Sequence, residues 1–188
     1  MKILETSRLI LRHQVPEDLD SLYALYCDPE VRKYIPDAPR NYEETREELE
    51  WHRYGHPKRP ELGLWATIHK ETGKYIGRCG LLPWTIDQRE EVEVAYLLAQ
   101  AYWGQGLGTE AAQGIVRYGF EVLHLSRLIC MIYPENLASV KVARNIGMTL
   151  EKEMEDEMGP YLLFSRSKSF AGSHPHLKSE FPETDGIP

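Results

Sequence analysis

The sequence predicts a single α/β domain over residues 1–168, followed by a polar tail over 169–188. Three observations carry that expectation. From Gly63 onward the chain is a succession of β-prone runs separated by compact turns. Within residues 91–123 a strand, a glycine turn and a strongly amphipathic helix follow one another directly. A chain of 188 residues is also the right size for one core, and contains no internal repeat or interdomain linker.

Taken in order, TSRLILRH at 6–13 places Leu9 and Leu11 on one face of a short strand, with Arg8, Ile10 and Arg12 on the other. Pro16, Glu17 and Asp18 suit a helix start, and Leu19, Leu22, Tyr23 and Tyr26 give that helix an apolar stripe. Asp28-Pro29 begins a shorter helix carrying Val31, Tyr34 and Ile35. Asn41, with Glu44 three residues on, caps a third helix expected to end near Gly55. It is heavily acidic, offers Tyr42, Leu49, Trp51 and Tyr54 for burial, and is expected to be peripheral.

LWATIH and YIGRCGLL flank the turn Glu71-Thr72-Gly73-Lys74 as a hairpin. After TIDQRE comes a third run, in which Val92, Val94 and Tyr96 alternate with Glu91, Glu93 and Ala95. The alternation breaks at Leu97-Leu98, where a bulge or a strand end is expected. The helix after the glycines buries Leu107, Ala111, Ala112, Ile115, Val116, Phe120, Val122 and Leu123. Arg127 to Ile132 is a strand, Asn136 to Ile146 a helix closed by Gly147, and 148–154 and 161–165 two last strands. The tail has a Ser, Pro, His and Gly composition with no core of its own.

Composition excludes several classes. Apolar residues are 42% and charged ones 27%, ordinary globular usage. Lys+Arg 22 against Asp+Glu 29 gives a net charge of −7, which argues against nucleic acid as a partner. Cys27, Cys79 and Cys130 form neither a disulfide framework nor a zinc pattern, and the seven histidines, His174 and His176 in the tail included, have no metal-ligand spacing; no metal is expected. No apolar run approaches the roughly 20 residues of a membrane span, and MKILETSRLILR lacks the apolar core of a secretory peptide. A soluble, cytoplasmic domain is expected. Trp51, Trp65, Trp84 and Trp103 are expected as core or pocket walls rather than a base-stacking platform.

The chemistry lies in Gly104-Gln105-Gly106-Leu107-Gly108-Thr109. Alternate glycines let a ligand approach the backbone, and the following helix offers free amides and a partial positive charge, a site for phosphate or pyrophosphate. No Lys follows as in a P-loop, and GxGxG late in the chain is not a dinucleotide fingerprint.

VEVAYLLAQAYWGQGLGTEA followed by YPENLASVKVARNIGM, with the opening ETSRLILR, resembles the GNAT superfamily of acetyl-CoA-dependent N-acetyltransferases, and within it the Rim branch of ribosomal-protein N-terminal acetyltransferases. The resemblance spans about residues 5–167 and is specific as a combination. It implies an N-acetyltransferase domain built on a mixed, mostly antiparallel sheet, flanked by helices and split like a V near Leu97-Leu98. Acetyl-CoA would be the co-substrate. Gln105, Gly106, Leu107, Gly108 and Thr109 would bind its pyrophosphate, Leu97 and Ala99 would pair their backbones with the pantetheine arm, and Asn136 would contact that arm. Ser139 would hydrogen-bond or protonate the leaving thiolate. Trp103 stands where many members carry Gln or Arg, as is usual in the Rim branch. Ala143 stands where many carry a Tyr acid, which leaves Ser139 or Tyr133. Residue preference alone also allows Asn136 to be a helix cap and Ser139 a local backbone partner.

Only a neutral amine attacks a thioester. At pH 7 a lysine-type amine needs about 4.6 kcal/mol to lose its proton, an α-amine only about 1.4. A carboxylate within reach can take that proton. Glu93, on the strand leading into the glycine turn, is the first candidate; Glu91, Glu155 and Glu157 follow, and the alternative for each is a solvated carboxylate. The expected partner is therefore an amine acceptor, entering between residues 34–55 and the hairpin at 85–90. The resemblance to the Rim branch implies a protein or peptide N-terminal α-amine as the leading acceptor, with a small amine such as a polyamine or antibiotic, or a non-catalytic acyl-CoA-binding module, as alternatives. A homodimer is left open.

Overall fold

The computed structural model describes residues 1–156 and 159–168. The expected tail and Glu157 lie outside the described residues.

The elements in chain order are β1 (Lys2–Glu5), β2 (Leu9–Arg12), α1 (Leu19–Cys27), α2 (Pro29–Arg32), α3 (Tyr42–His52), β3 (Gly63–His69), β4 (Tyr75–Ile86), β5 (Arg89–Leu98), α4 (Leu107–Glu121), β6 (Arg127–Ile132), α5 (Leu137–Asn145), β7 (Thr149–Asp156) and β8 (Gly159–Ser167). The strands form one eight-stranded sheet in the order β1-β2-β3-β4-β5-β6-β8-β7. Every pairing is antiparallel except β5 with β6. The expected mixed, mostly antiparallel α/β fold is the one observed. Among the described residues no helix is long and apolar enough to cross a membrane.

Two hydrophobic cores cover the two faces. On one face α4 and α5 pack Leu107, Ala111, Ile115 and Ala143 against Leu11, Trp65, Cys79, Val92, Val94 and Leu98. On the other, α1, α2 and α3 bring Leu22, Tyr26, Val31 and Leu49 together, with Leu97 and Ala99 against them. This second core explains Leu97-Leu98. The β4–β5 register runs unbroken from Ile86↔Arg89 to Gly77↔Leu98, so no bulge interrupts it. Val92, Val94, Tyr96 and Leu98 share one face, and Leu97 is apolar because its own face is covered too. The alternation therefore continues to the strand end.

The V opens earlier than expected. β5 and β6 share one registered pair, Glu93↔Ile129, well before Leu97-Leu98. Past it, side chains take over the ladder: the Val94 carbonyl accepts the Cys130 thiol at 3.3 Å, and the Met131 amide donates to the Glu93 carboxylate.

Other departures are local. β1 was not anticipated; its edge pairing with β2 involves alternation too short to show in sequence. The third helix ends at His52, not near Gly55, and buries Thr45, Leu49 and His52. Tyr42, Trp51 and Tyr54 are exposed, as is Val122 beyond the end of α4. Nor is α3 merely peripheral. Its Glu48 accepts from Arg78 on β4 at 2.9 Å and from the Tyr26 hydroxyl at 2.6 Å, while Arg78 stacks 5.0 Å from the Tyr26 ring. The three cysteines are free, Cys79 and Cys130 buried and Cys27 exposed.

Candidate active site

The glycine turn is built as a cradle. Gly104 and Gly106 sit at φ 73° and 76°, the left-handed region that L side chains resist. Gly106 is the N-cap of α4 and supplies no capping side chain. The first intrahelical bond of α4 is Glu110 N to Gly106 O at 3.0 Å, so the amides of Leu107, Gly108 and Thr109 precede any helical acceptor. A Cβ at Gly104 would meet nothing within 4 Å, so the turn faces open space. Residues 104–106 are exposed while Leu107 anchors the helix in the core. Gln105 folds its side chain back onto the Ala101 carbonyl at 2.8 Å, leaving backbone as the exposed surface of the turn. These features fit a diphosphate bound through amides at a helix N-terminus.

The strand feeding that turn corrects one detail. Ala99 N–H donates to the Ile76 carbonyl at 2.8 Å, and its own carbonyl accepts from Tyr102 N–H at 2.9 Å. Alternation in an antiparallel pair then directs the Leu97 backbone at Arg78. Leu97 and Ala99 thus spend their polar groups on β4 and neighbouring turns, and Tyr96 and Leu98 face the gap. The Leu98 carbonyl there accepts Trp103 Nε1 at 2.7 Å.

Glu93 lies at the rung where the strands part. Its carboxylate accepts from Trp84 Nε1 at 2.7 Å and from the Met131 amide. Burial pushes its pKa up to about 7 against those two donors, with Asp37 adding a like charge. A carboxyl that titrates near neutrality suits proton transfer at physiological pH. Glu91, on the same face, is different. It is buried and bound by Arg127 at 3.0 and 3.1 Å, within a group that also includes Arg89 and Glu151. It lines a cavity of about 150 Å³ at the far end of β5, with its carboxylate engaged by Arg127. Glu155 is exposed on β7, three strands from β5.

Asn136 is the N-cap of α5, its side-chain oxygen accepting Ser139 N–H at 3.1 Å. Ser139 is half-buried, and its carbonyl receives the Tyr96 hydroxyl at 3.0 Å. Tyr96 thereby ties the first turn of α5 to β5, and its environment includes both Glu93 and Cys130. Beside these, Lys33, Tyr34 and Pro36 face Tyr133 and Glu135 across a shallow cavity of about 280 Å³, with the Tyr34 hydroxyl reaching the Glu135 carbonyl at 3.4 Å. Of the four tryptophans Trp65 is core, Trp84 supports Glu93, and Trp51 and Trp103 are about half exposed. Among the described residues no cluster of His, Cys, Asp and Glu could hold a metal.

Sequence reasoning read Trp84 as a core or pocket wall without its bond to Glu93, and gave Tyr96 no role beyond strand alternation. The signal for Trp84 was the two-residue turn Asp87-Gln88, whose positive φ values of 48° and 63° fix the hairpin register and bring position 84 beside 91–93.

Known proteins agree with this geometry. Residues 8–149 match the acetyltransferase (GNAT) domain family model. The uncharacterized N-acetyltransferase p20 of Bacillus licheniformis is 33% identical over 158 residues, 83% of this chain and 87% of that protein. Among solved structures, a GNAT-family acetyltransferase from Bacillus anthracis superposes with a TM-score of 0.76 at 22% identity, over 89% of this chain and 98% of that one. RimL, a ribosomal-protein α-N-acetyltransferase in complex with coenzyme A, superposes with 0.73 at 18% identity, over 89% and 98%. The two superpositions speak for the fold; the family match, taken with the amide cradle at the split of the sheet, makes this chain a member of the GNAT acetyltransferase family and an acyltransferase enzyme.

Proposed function

We propose that the protein transfers acetyl from acetyl-CoA to the N-terminal α-amine of a protein or peptide by direct attack, with Glu93 as general base. Acetyl-CoA supplies the activated acyl group as a thioester. The amides of residues 105–109 hold its diphosphate, and the backbone of Tyr96 and Leu98 lies alongside its arm in the gap between β5 and β6. Glu93 takes the proton that the attacking amine must shed. The carbon–nitrogen bond forms as the carbon–sulfur bond breaks, and in this reading the Ser139 hydroxyl passes a proton to the departing thiolate.

The observation that carries this reading is Glu93, at the opening of the sheet with its pKa pushed up to about 7. Passing a proton to such a base costs about 1.4 kcal/mol from an α-ammonium near 8 and about 4.6 from a lysine-type ammonium near 10.4. The base is matched to the first. The protein RimL, which shares this fold, is by its name an α-N-protein acetyltransferase, and supports the same acceptor class.

The test is mass spectrometry of a panel of peptides, polyamines and aminoglycosides incubated with labelled acetyl-CoA. Label on peptide α-amines at neutral pH is expected, with Glu93→Gln lowering kcat about 10²- to 10³-fold while leaving affinity for CoA intact. Label on polyamines alone would overturn the acceptor class. Cofactor binding without turnover of any amine would indicate a binding module instead.

A further inference from the structure

The opening segment Glu5-Thr6-Ser7-Arg8 has no part in the chemistry above, yet it is bound to the cofactor turn. Thr6 Oγ1 donates to Glu110 Oε1 at 2.6 Å, and the Arg8 amide donates to the same oxygen at 2.7 Å. Arg8 Nε donates to Glu110 Oε2 at 2.6 Å, and Arg8 Nη1 to the Gln105 carbonyl at 3.0 Å. The remaining nitrogen, Nη2, stands 3.6 Å from where a Cβ on Gly106 would be. Burial works against the Glu110 charge, but these donors outweigh it and hold the carboxyl below its usual range. The approach is built into α4 as well: a Cβ on Gly114 would come within 2.9 Å of Thr6 Cγ2 and 3.2 Å of Leu4 Cδ1.

The electrostatics say what this clamp accomplishes. Two groups in the turn oppose an incoming diphosphate, the Gln105 carbonyl dipole and the Glu110 carboxylate in the first turn of α4. Arg8 engages both. One guanidinium satisfies the carbonyl, leaving the amides of the turn to the anion, and offsets the carboxylate charge that would repel it. We propose that Arg8, held by Thr6 and Glu110, is a positioning residue for the diphosphate site, setting the turn in its anion-accepting form.

The inference rests on the acetyl-CoA reading, and the experiment separates the two. Calorimetry measures CoA affinity of the wild type, Arg8→Ala, Arg8→Lys and Glu110→Gln without acceptor. Thermal unfolding is followed on each. Kinetics compare acetyl-CoA with S-acetylpantetheine, which lacks the diphosphate. Arg8→Ala should weaken CoA binding and raise KM for acetyl-CoA roughly tenfold with little change in kcat, and Arg8→Lys should recover part of it. With S-acetylpantetheine the deficit should shrink below about twofold. Undiminished CoA affinity in folded Arg8 variants, or equal loss with both donors, would show a packing role only and overturn the proposal. A wild type that binds no CoA would instead overturn the reading beneath it.

Discussion

At the scale of single residues, Glu93 and Trp84 form a unit. The indole donates to the carboxylate, which favours the charged form, so removing it should raise the pKa of Glu93 above about 7. A base works when ionised, and kcat should therefore rise with pH through that value. In Trp84→Phe the acid limb of the kcat–pH profile should move up by about one unit, lowering activity roughly tenfold at pH 6 and far less at pH 9. An unmoved limb would dismiss the indole from this role. Glu93 was visible in the sequence because it alternates with Val92 and Val94 just before the glycines. What the sequence did not show was the difference between Glu93 and Glu91. Both project from one face of β5, and only the fold reveals that Arg127 neutralises the second. Asn136 was legible as either of two things, and the structure shows its oxygen occupied by the α5 cap.

At the scale of elements, the turn and α4 depend on a backbone shape. Gly106→Ala keeps enough room, its nearest neighbour being an Arg8 nitrogen at 3.6 Å, but must hold an L residue at φ 76°. It should cost about 1–2 kcal/mol, seen as a lower unfolding midpoint, together with weaker CoA binding. The link between α3 and the sheet has a larger stake. Arg78→Ala leaves the Glu48 carboxylate with the Tyr26 hydroxyl but without its cation, and should destabilise by about 3–5 kcal/mol in denaturant titrations. Helices with strong caps and stripes were the easiest elements to read: Asn41 does accept Glu44 N–H, at 2.9 Å. The errors fell where tertiary packing decides. Aromatics on α3 looked like core but point outward, because Thr45, Leu49 and His52 already fill its inner face. At Leu97-Leu98 the strand end was read correctly and the bulge was not, because a strand covered on both faces cannot be told from one covered on one face until the second core is seen.

For the whole molecule, His52 is a built-in acid sensitivity. It is buried, its Nδ1 has no hydrogen-bond partner among the described residues, and burial, with Arg78 nearby, lowers its pKa to about 4. The unfolded chain protonates this group near 6.5 and the folded one does not, so stability falls as pH drops from about 6.5 to about 4. The contribution is about 3 kcal/mol across that window. His52→Leu should flatten this part of the dependence of unfolding midpoint on pH; an unchanged slope would place the sensitivity elsewhere. Fold class, family and the glycine turn before α4 were legible from one stretch of sequence because each depends on local pattern. The meeting of residues 33–36 with Tyr133 and Glu135 was not, since it arises only through long-range packing.

A last consequence follows from the solitary pairing of Glu93 with Ile129. Five strands on one side and three on the other share a single stitch of main chain there, so the sheet has a seam. A thioester arm laid along that seam would act as a guest strand, lending rungs the protein does not make for itself. Deuterium uptake at Tyr96 and Leu98 should then slow sharply when CoA is present, while the outer strands exchange as before.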